Sequence, residues 1–222
     1  MKTCNWFKAG SLLLLGFAGL VLVGSAQAAF ITPSDVTPGW TRGDAGTTYQ
    51  AWDVFTSTTN NAPDVANNNP NGTGEVSETA GVAFVTGGGN IYAMAGNPSF
   101  SVQVPNSPAV DTSSILLQLQ TIGSEVIFPS VLINGAGPSQ TAEISRISIP
   151  AGPPGTFADQ VETWYLWTGV TAAAGINITF GGPPHLSLAA VSVDTSTVPE
   201  PSTALLVMLG LTGLAFSGSK KA

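Results

Sequence analysis

Between residues 29 and 197, the sequence alternates apolar and polar residues with a period of two. Phe100 to Val104 has the sequence FSVQV, and Ile176 to Phe180 has the sequence INITF. Because successive side chains of a strand point to opposite faces, this alternation is typical of strands with one buried face and one solvated face. No stretch of the region shows convincing helical periodicity. The pattern predicts an all-β domain.

Further strands are predicted where β-branched and aromatic residues cluster. They are 49–55, 82–86, 90–94, 117–120, 126–133, 144–149, 161–168 and 186–193. Sequences such as TGGGN, PAGPPG and GGPP separate them and favour turns, and Asn134-Gly135 favours a tight hairpin turn. About nine short strands at this spacing predict an antiparallel β-sandwich or jelly roll.

The first part of the sequence has the pattern of a secretory signal peptide. Lys2 and Lys8 precede the apolar run SLLLLGFAGLVLVG, and Ala26 and Ala28 then form an A-x-A sequence. A positive segment, a short apolar run and an A-x-A site are the three parts of such a peptide. We expect leader peptidase to remove residues 1–28. A membrane anchor is the alternative, but the run is shorter than the roughly 20 residues of a spanning helix.

Charge is distributed unevenly along the sequence. All the lysines lie in the terminal segments, so residues 29–197 carry only Arg42 and Arg146 against twelve carboxylates, a net charge of about −10. Such a surface repels phosphate groups, which argues against nucleic-acid binding. The single cysteine, Cys4, lies in the predicted signal peptide. The exported chain is therefore expected to have no disulfide and no sulfur ligand.

Residues 198–222 combine a rigid step, an apolar run and a basic end. The step is VPEPS, the run from Thr203 to Ser219 is long enough for a short membrane helix of about 17 residues, and Lys220 and Lys221 follow it. The positive-inside rule places the lysines in the cytoplasm and the preceding residues outside. Two prolines favour an extended backbone and keep the step out of the helix.

This order resembles the PEP-CTERM sorting signal of exported proteins in Gram-negative bacteria. The residues that carry the resemblance are Val198, Pro199, Glu200, Pro201 and Ser202. The resemblance implies recognition by an exosortase, a membrane-embedded enzyme similar to cysteine transpeptidases, which removes the tail during sorting to the cell surface. The basic end is shorter than in many members of the family. We expect three parts, namely a signal peptide at 1–28, a secreted β-sandwich at 29–197 and a sorting signal at 198–222. The sequence of 39–55, GWTRGDAGTTYQAWDVF, is similar to a recurring opening of PEP-CTERM surface proteins.

One long segment, 56–75, does not fit the strand pattern. Its oxygen-bearing side chains are Asp64, Asn67, Asn69, Asn71 and Glu75. Calcium prefers hard oxygen ligands of this kind, so a calcium site is one interpretation. The spacing matches no EF-hand, and a solvated surface loop without any cofactor is the leading interpretation.

Catalytic signals are weak. The only histidine, His185, follows two prolines and is predicted to lie at a turn or strand edge, and the sequence has no G-x-S-x-G elbow and no phosphate-binding glycine motif. The pairs Asp159 with Glu162 and Glu75 with Glu78 are compatible with glycoside hydrolysis. Residues three apart on a strand face opposite ways, however, so neither pair predicts a shared site. A glycoside hydrolase is the weakest of three hypotheses.

Tryptophans provide the second hypothesis. Trp164 and Trp167 fall on opposite faces of a regular strand, so at least one could face solvent and stack on sugars. The alternative is that both fill the core. The leading hypothesis is a non-enzymatic structural or adhesive protein of the cell surface or extracellular matrix. A carbohydrate-binding module of the exopolysaccharide matrix is the alternative.

Overall fold

The computed structural model describes residues 28, 30–105, 113–171 and 175–197, and these residues form an all-β fold. The strands are β1 (Thr47–Trp52), β2 (Ala66–Asn68), β3 (Glu75–Glu78), β4 (Phe84–Val85), β5 (Ile91–Tyr92), β6 (Ser99–Pro105), β7 (Ser113–Gly123), β8 (Leu132–Ile133), β9 (Gln140–Pro150), β10 (Phe157–Val170), β11 (Gly175–Gly181) and β12 (Leu186–Thr197). Every pairing between them is antiparallel. The predicted all-β, antiparallel class is confirmed.

The strands form two sheets. The larger sheet has the order β2-β1-β12-β7-β10-β9, and the β4-β5 hairpin extends it beside β12. The smaller sheet has the order β3-β6-β11-β8. From β5 onward, every connection except the β9-β10 hairpin crosses from one sheet to the other, as connections do in jelly rolls.

The core lies between the sheets and explains the period-two pattern. Alternate residues of β6 and β11 point inward, and the rings of Phe100 and Phe180 stack with their centroids 5.1 Å apart. Trp52, Leu117 and Val193 of the larger sheet are buried in the same cluster. Complete burial of such side chains contributes about 1.5–3 kcal/mol each. The sandwich therefore buries a substantial apolar core.

The turns of the structure confirm one prediction from the sequence and contradict another. Asn134 and Gly135 adopt φ values of 50° and 82°, which confirms the predicted tight turn. The strand predicted at 126–133 is wrong, because Phe128–Ser130 form a 3-10 turn and only Leu132–Ile133 pair. Pro129 has no N–H for a strand ladder and disfavours an extended pairing there. Within the segment 56–75, β2 forms where a loop was predicted.

A second, smaller apolar cluster lies on the outer face of the larger sheet. Leu116 and Leu166 point outward there, and Val36 packs on them. Ile31, Trp40 and Trp164 surround these three residues. The segment 30–42, which we call the N-terminal strap, therefore crosses the outer face of the sheet. Sequence periodicity gave no sign of this second layer.

The strand register defines two ends of the sandwich. At the junction end, Thr197 of β12 lies opposite Ser113, and Ser196 lies opposite Thr47. At the far end, Leu186 lies opposite Gly123, and Phe157 lies opposite Pro150. The strap contacts the half of the outer face that is nearer the junction end.

Candidate functional site

The first candidate site is the junction at the end of β12. This strand is paired on both sides up to its last residues, and the Thr197 N–H donates to Gly46 O at 3.0 Å. Gly46 has φ +80°, and a Cβ there would lie 2.0 Å from Thr197 Oγ1. Glycine is the residue that tolerates both the positive φ and the close approach. A central strand is thus held in place up to the residue before Val198.

The predicted processing residues fall beyond this junction or before the strap. Those outside the described residues are Ala26, Val198, Pro199, Glu200, Pro201, Ser202, Lys220 and Lys221, and Ala28 is described only as an isolated residue. Within the described ranges, no helix is both long enough and apolar enough to cross a membrane. The predicted short membrane helix and the signal peptide lie outside those ranges and stay predictions.

Arg42 fastens the strap to the sheet through an ion pair. Its Nε and Nη2 donate to the two carboxylate oxygens of Asp194 at 2.5 and 2.8 Å, and its guanidinium carbon lies 3.7 Å from the centre of the Tyr49 ring. Asp194 is fully buried, whereas the Arg42 side chain is 29% exposed. Burial raises the pKa of Asp194, and the ion pair with Arg42 opposes that rise. The two groups come from positions 152 residues apart in the sequence.

Backbone contacts complete the attachment of the strap. The buried amide of Gln118 accepts from Ile31 N–H at 2.8 Å and donates to Ile31 O at 3.1 Å. Gln140 Nε2 donates to Thr37 O at 2.8 Å. These bonds satisfy polar groups that burial would otherwise penalise. The segment 39–55 therefore contributes Arg42 to the attachment of the strap and also contains the buried residues of β1.

The two tryptophans proposed for sugar stacking lie in different environments. Trp167 is only 2% exposed in the main core, and its Nε1 donates to Ala136 O at 3.0 Å. Trp164 is half-buried and packs against the cluster beneath the strap. Trp167 is thus unavailable for stacking because the smaller sheet covers its face of β10. The alternative that tryptophans fill apolar clusters describes both residues better.

The five oxygen-bearing residues proposed for calcium mostly bond to the protein itself. Asp64 accepts from the N–H groups of Asp53 and Val54 at 3.0 Å each, and Asn67 Oδ1 accepts from Gln50 Nε2 at 2.5 Å. Asn69 donates from Nδ2 to Pro105 O at 2.8 Å, and its Oδ1 accepts from Asn71 N–H at 2.9 Å. Glu75 is exposed at the start of β3. Burial, and then the contact with Asp64, raise the pKa of Asp53. In the part of the chain that the structure describes, no three His, Cys, Asp or Glu side chains form a metal-sized group.

The carboxylate pairs do not form shared sites. Glu162 is buried on the outer face and accepts from Gln120 Nε2 at 2.8 Å and from Ser145 Oγ at 3.1 Å. Asp159 is exposed on the other face of β10, 3.4 Å from Arg146. Glu78 is likewise buried and accepts from two backbone N–H groups of the following turn, while Glu75 is exposed. In each pair, one carboxylate is buried and hydrogen-bonded within the fold, namely Glu162 or Glu78. The other carboxylate, Asp159 or Glu75, faces solvent.

Sequence reasoning missed a row of side chains on the outer face near the far end. Strand register places Phe84 opposite Tyr92, Tyr92 opposite Ser187, Ser187 opposite Ile122, Ile122 opposite Gln160, and Gln160 opposite Ile147. We call these six residues the outer row. They come from six different strands, so no local sequence pattern could have identified them.

His185 stands at one end of the outer row, in the turn that precedes β12, as predicted. Its Nδ1 lies 2.9 Å from the Tyr92 hydroxyl. Its φ is +67°, which is unusual for a residue other than glycine. Its N–H donates to Ala93 O at 2.7 Å, and its own carbonyl accepts from Ser124 N–H at 3.1 Å. These bonds hold the backbone of His185, and the contact with the Tyr92 hydroxyl orients its imidazole.

Comparison with known proteins identifies the end of the chain and not the sandwich. The family model of the PEP-CTERM protein-sorting motif matches residues 197–221. No curated protein and no solved structure matches the chain. The match begins at the last residue of β12, and it implies export and recognition by an exosortase. The chain therefore contains a PEP-CTERM protein-sorting motif directly after its sandwich.

Proposed function

We propose that the sandwich is displayed at the cell surface or in the extracellular matrix, where it has a structural or adhesive, non-enzymatic role. The observation that carries this proposal is the junction at Thr197. The sorting motif begins where a central strand of the larger sheet ends, so folded domain and sorting signal are joined without a linker. A chain processed there would deliver a complete sandwich to the surface.

The junction also orients the sandwich during sorting. Six extended residues, from Thr197 to the start of the apolar run at Thr203, span at most roughly 20 Å. The junction end therefore faces the membrane, and the far end faces outward. The exposed large apolar side chains of the far half include Phe84 of β4 and Ile147 of β9, which are 45% and 46% exposed on the outer face. Exposed apolar side chains on one face of a sheet favour contact with a partner, which supports an adhesive role for this end.

A non-enzymatic role is supported by the separation of the candidate catalytic groups. Asp159 and Glu162 lie on opposite faces of β10, and Glu162 is engaged with Gln120 and Ser145. Two carboxylates must flank one bond for glycoside hydrolysis. A carbohydrate-binding module is the second candidate, favoured by the outer row and not by the tryptophans.

The test combines display with attachment. An epitope inserted in the far-end loop 151–155 should be labelled by antibody on intact cells of the native host, and cells lacking the chain should attach less well to a polysaccharide-coated surface. The matched control carries the same epitope in a chain truncated after Thr197, which should lose cell-surface labelling. Labelling that requires permeabilised cells would exclude surface display. Normal attachment without the chain would exclude the adhesive role.

A further inference from the structure

The outer row has the dimensions of an extended binding surface. It crosses six neighbouring strands, β4, β5, β12, β7, β10 and β9. Five steps of about 4.8 Å make it roughly 24 Å long. A sheet face of this length is suited to an extended polymer, whereas small molecules are usually held in concave pockets.

The side chains of the row combine aromatic, apolar and polar groups. Phe84 and Ile147 at its two ends are 45% and 46% exposed, and the Phe84 ring contacts Tyr92 edge to face with centroids 5.6 Å apart. Ser187 and Gln160 separate the apolar residues along the row and are themselves buried, at 7% and 5% exposure. Aromatic rings present large apolar surfaces, and the tyrosine hydroxyl provides a polar group beside them. Sugar rings have the matching combination of apolar faces and hydroxyl groups.

His185 adds a hydrogen-bonding group beside Tyr92. The backbone bonds to Ala93 and Ser124 hold it at φ +67°, and its Nδ1 is engaged by the Tyr92 hydroxyl. Among the described residues, Nε2 of this exposed ring has no hydrogen-bond partner. Positive φ in a residue other than glycine persists when its surroundings enforce it, and such residues cluster at functional sites.

The charge of the domain restricts the partner. Residues 29–197 carry about ten net negative charges, which disfavours anionic polymers and also a second copy of the same chain. The neighbouring outer positions Gln120 and Glu162 are hydrogen-bonded to each other at 2.8 Å and add no positive charge. A neutral polymer rich in hydroxyl groups meets neither obstacle.

We propose that the outer row binds an extended chain of a neutral polysaccharide, with Phe84 and Tyr92 stacking on sugar rings and His185 bonding to a sugar hydroxyl. This inference deepens the proposed adhesive function and rests on it, since the row lies toward the outward-facing end of a displayed sandwich. It names the partner of that surface as a neutral glycan of the matrix.

The test uses the full-length chain purified in detergent and measures its retention on insoluble cellulose, on chitin and on alginate beads. We expect retention on at least one of the two neutral polymers and little on anionic alginate. Phe84→Ala should weaken binding to the neutral polymer roughly tenfold. Phe84→Trp, which keeps an aromatic face, should bind at least as tightly as the unchanged chain.

Phe157→Ala is the matched control. Phe157 is 64% exposed but points to the opposite face of β10 from Gln160, so its removal should leave binding unchanged. Equal binding by Phe84→Ala and the unchanged chain would overturn the proposal, as would preferential retention on alginate or no retention on cellulose and chitin. A dimer of the unchanged chain that Phe84→Ala dissociates, seen by light scattering, would assign the row to self-association and also overturn it. None of these failures affects surface display, which is measured separately on cells.

Discussion

Replacing Arg42 by alanine should destabilise the sandwich more than replacing Asp194 by asparagine, although both changes remove the same ion pair. In Arg42→Ala, the fully buried Asp194 loses its partner inside the protein. Removal of one member of a buried ion pair typically costs about 3–5 kcal/mol, because an uncompensated charge remains. In Asp194→Asn, the remaining charge is on Arg42, which is 29% exposed and can reach water. The cost there should be about 1–3 kcal/mol, as for a lost buried hydrogen bond.

Urea denaturation of the full-length chain, followed by tryptophan fluorescence, measures both costs. With a slope of about 2 kcal/mol per molar urea, Arg42→Ala should lower the midpoint by roughly 1.5–2.5 M. The double variant Arg42→Ala/Asp194→Asn should recover part of this loss, because no buried charge remains.

The free energy of unfolding of Arg42→Ala should also depend on pH in a defined direction. Burial raises the pKa of Asp194, and the loss of Arg42 removes the group that opposes this rise. A carboxyl group whose pKa is raised in the folded state binds a proton more tightly there, so stability increases as pH falls below the folded-state pKa. The deficit of Arg42→Ala should therefore shrink on acidification from pH 7, whereas Asp194→Asn should show no such recovery. A loss below about 1 kcal/mol in Arg42→Ala at pH 7, or equal losses in the two single variants, would refute this account of the strap.

Three further predictions concern processing, redox state and alkaline stability. Since Ala28 completes the predicted cleavage site, the surface protein should begin at residue 29, and N-terminal sequencing that returned Met1 would contradict this. Since the only cysteine lies in the predicted signal peptide, dithiothreitol should leave the melting temperature of the exported protein unchanged, and a lower value would disprove it. Burial first, and then the charge of Glu125, raise the pKa of Tyr165 to about 12, so the free energy of unfolding should fall as pH rises from 10 through 12. Tyr165→Phe should reduce that fall in alkaline urea titrations, and an unchanged pH dependence would count against it.

The parts of the fold that sequence predicted are those determined by local pattern. Period-two alternation located β6 and β11, since one face of each is buried against the other sheet. Asn134-Gly135 located a turn, since both residues accept positive φ. The strand predicted at 126–133 was wrong because Pro129 has no N–H for a strand ladder and Phe128–Ser130 form a 3-10 turn.

The parts that sequence could not predict depend on contacts between distant residues. The strap is fastened by Arg42 and Asp194, and no periodicity links two such positions. The outer row likewise arises from the order and register of six strands. Trp164 and Trp167 show the same limit, because alternation predicted opposite faces correctly but not that a strap and a second sheet would cover them. Only the sorting motif, a contiguous sequence, was identifiable in full.

The sorting motif is also the basis of the central claim, that an exosortase processes this chain and delivers the sandwich to the surface. Since the two prolines beside Glu200 favour an extended backbone, we expect the enzyme to recognise this charge. Glu200→Ala should leave export and membrane insertion intact, because neither depends on that charge. The matched control is Glu75→Ala, which removes an exposed carboxylate from the sandwich.

The most direct measurement is an immunoblot of fractionated native-host cells, with one tag in the loop 151–155 and a second tag after Lys221. We expect the unchanged chain and Glu75→Ala to be trimmed near Pro201 and to lose the second tag. Glu200→Ala should accumulate at full length in the membrane fraction with both tags. Identical trimming and release of all three proteins would show that VPEPS is only a stiff linker, and would contradict recognition of this motif by a sorting enzyme.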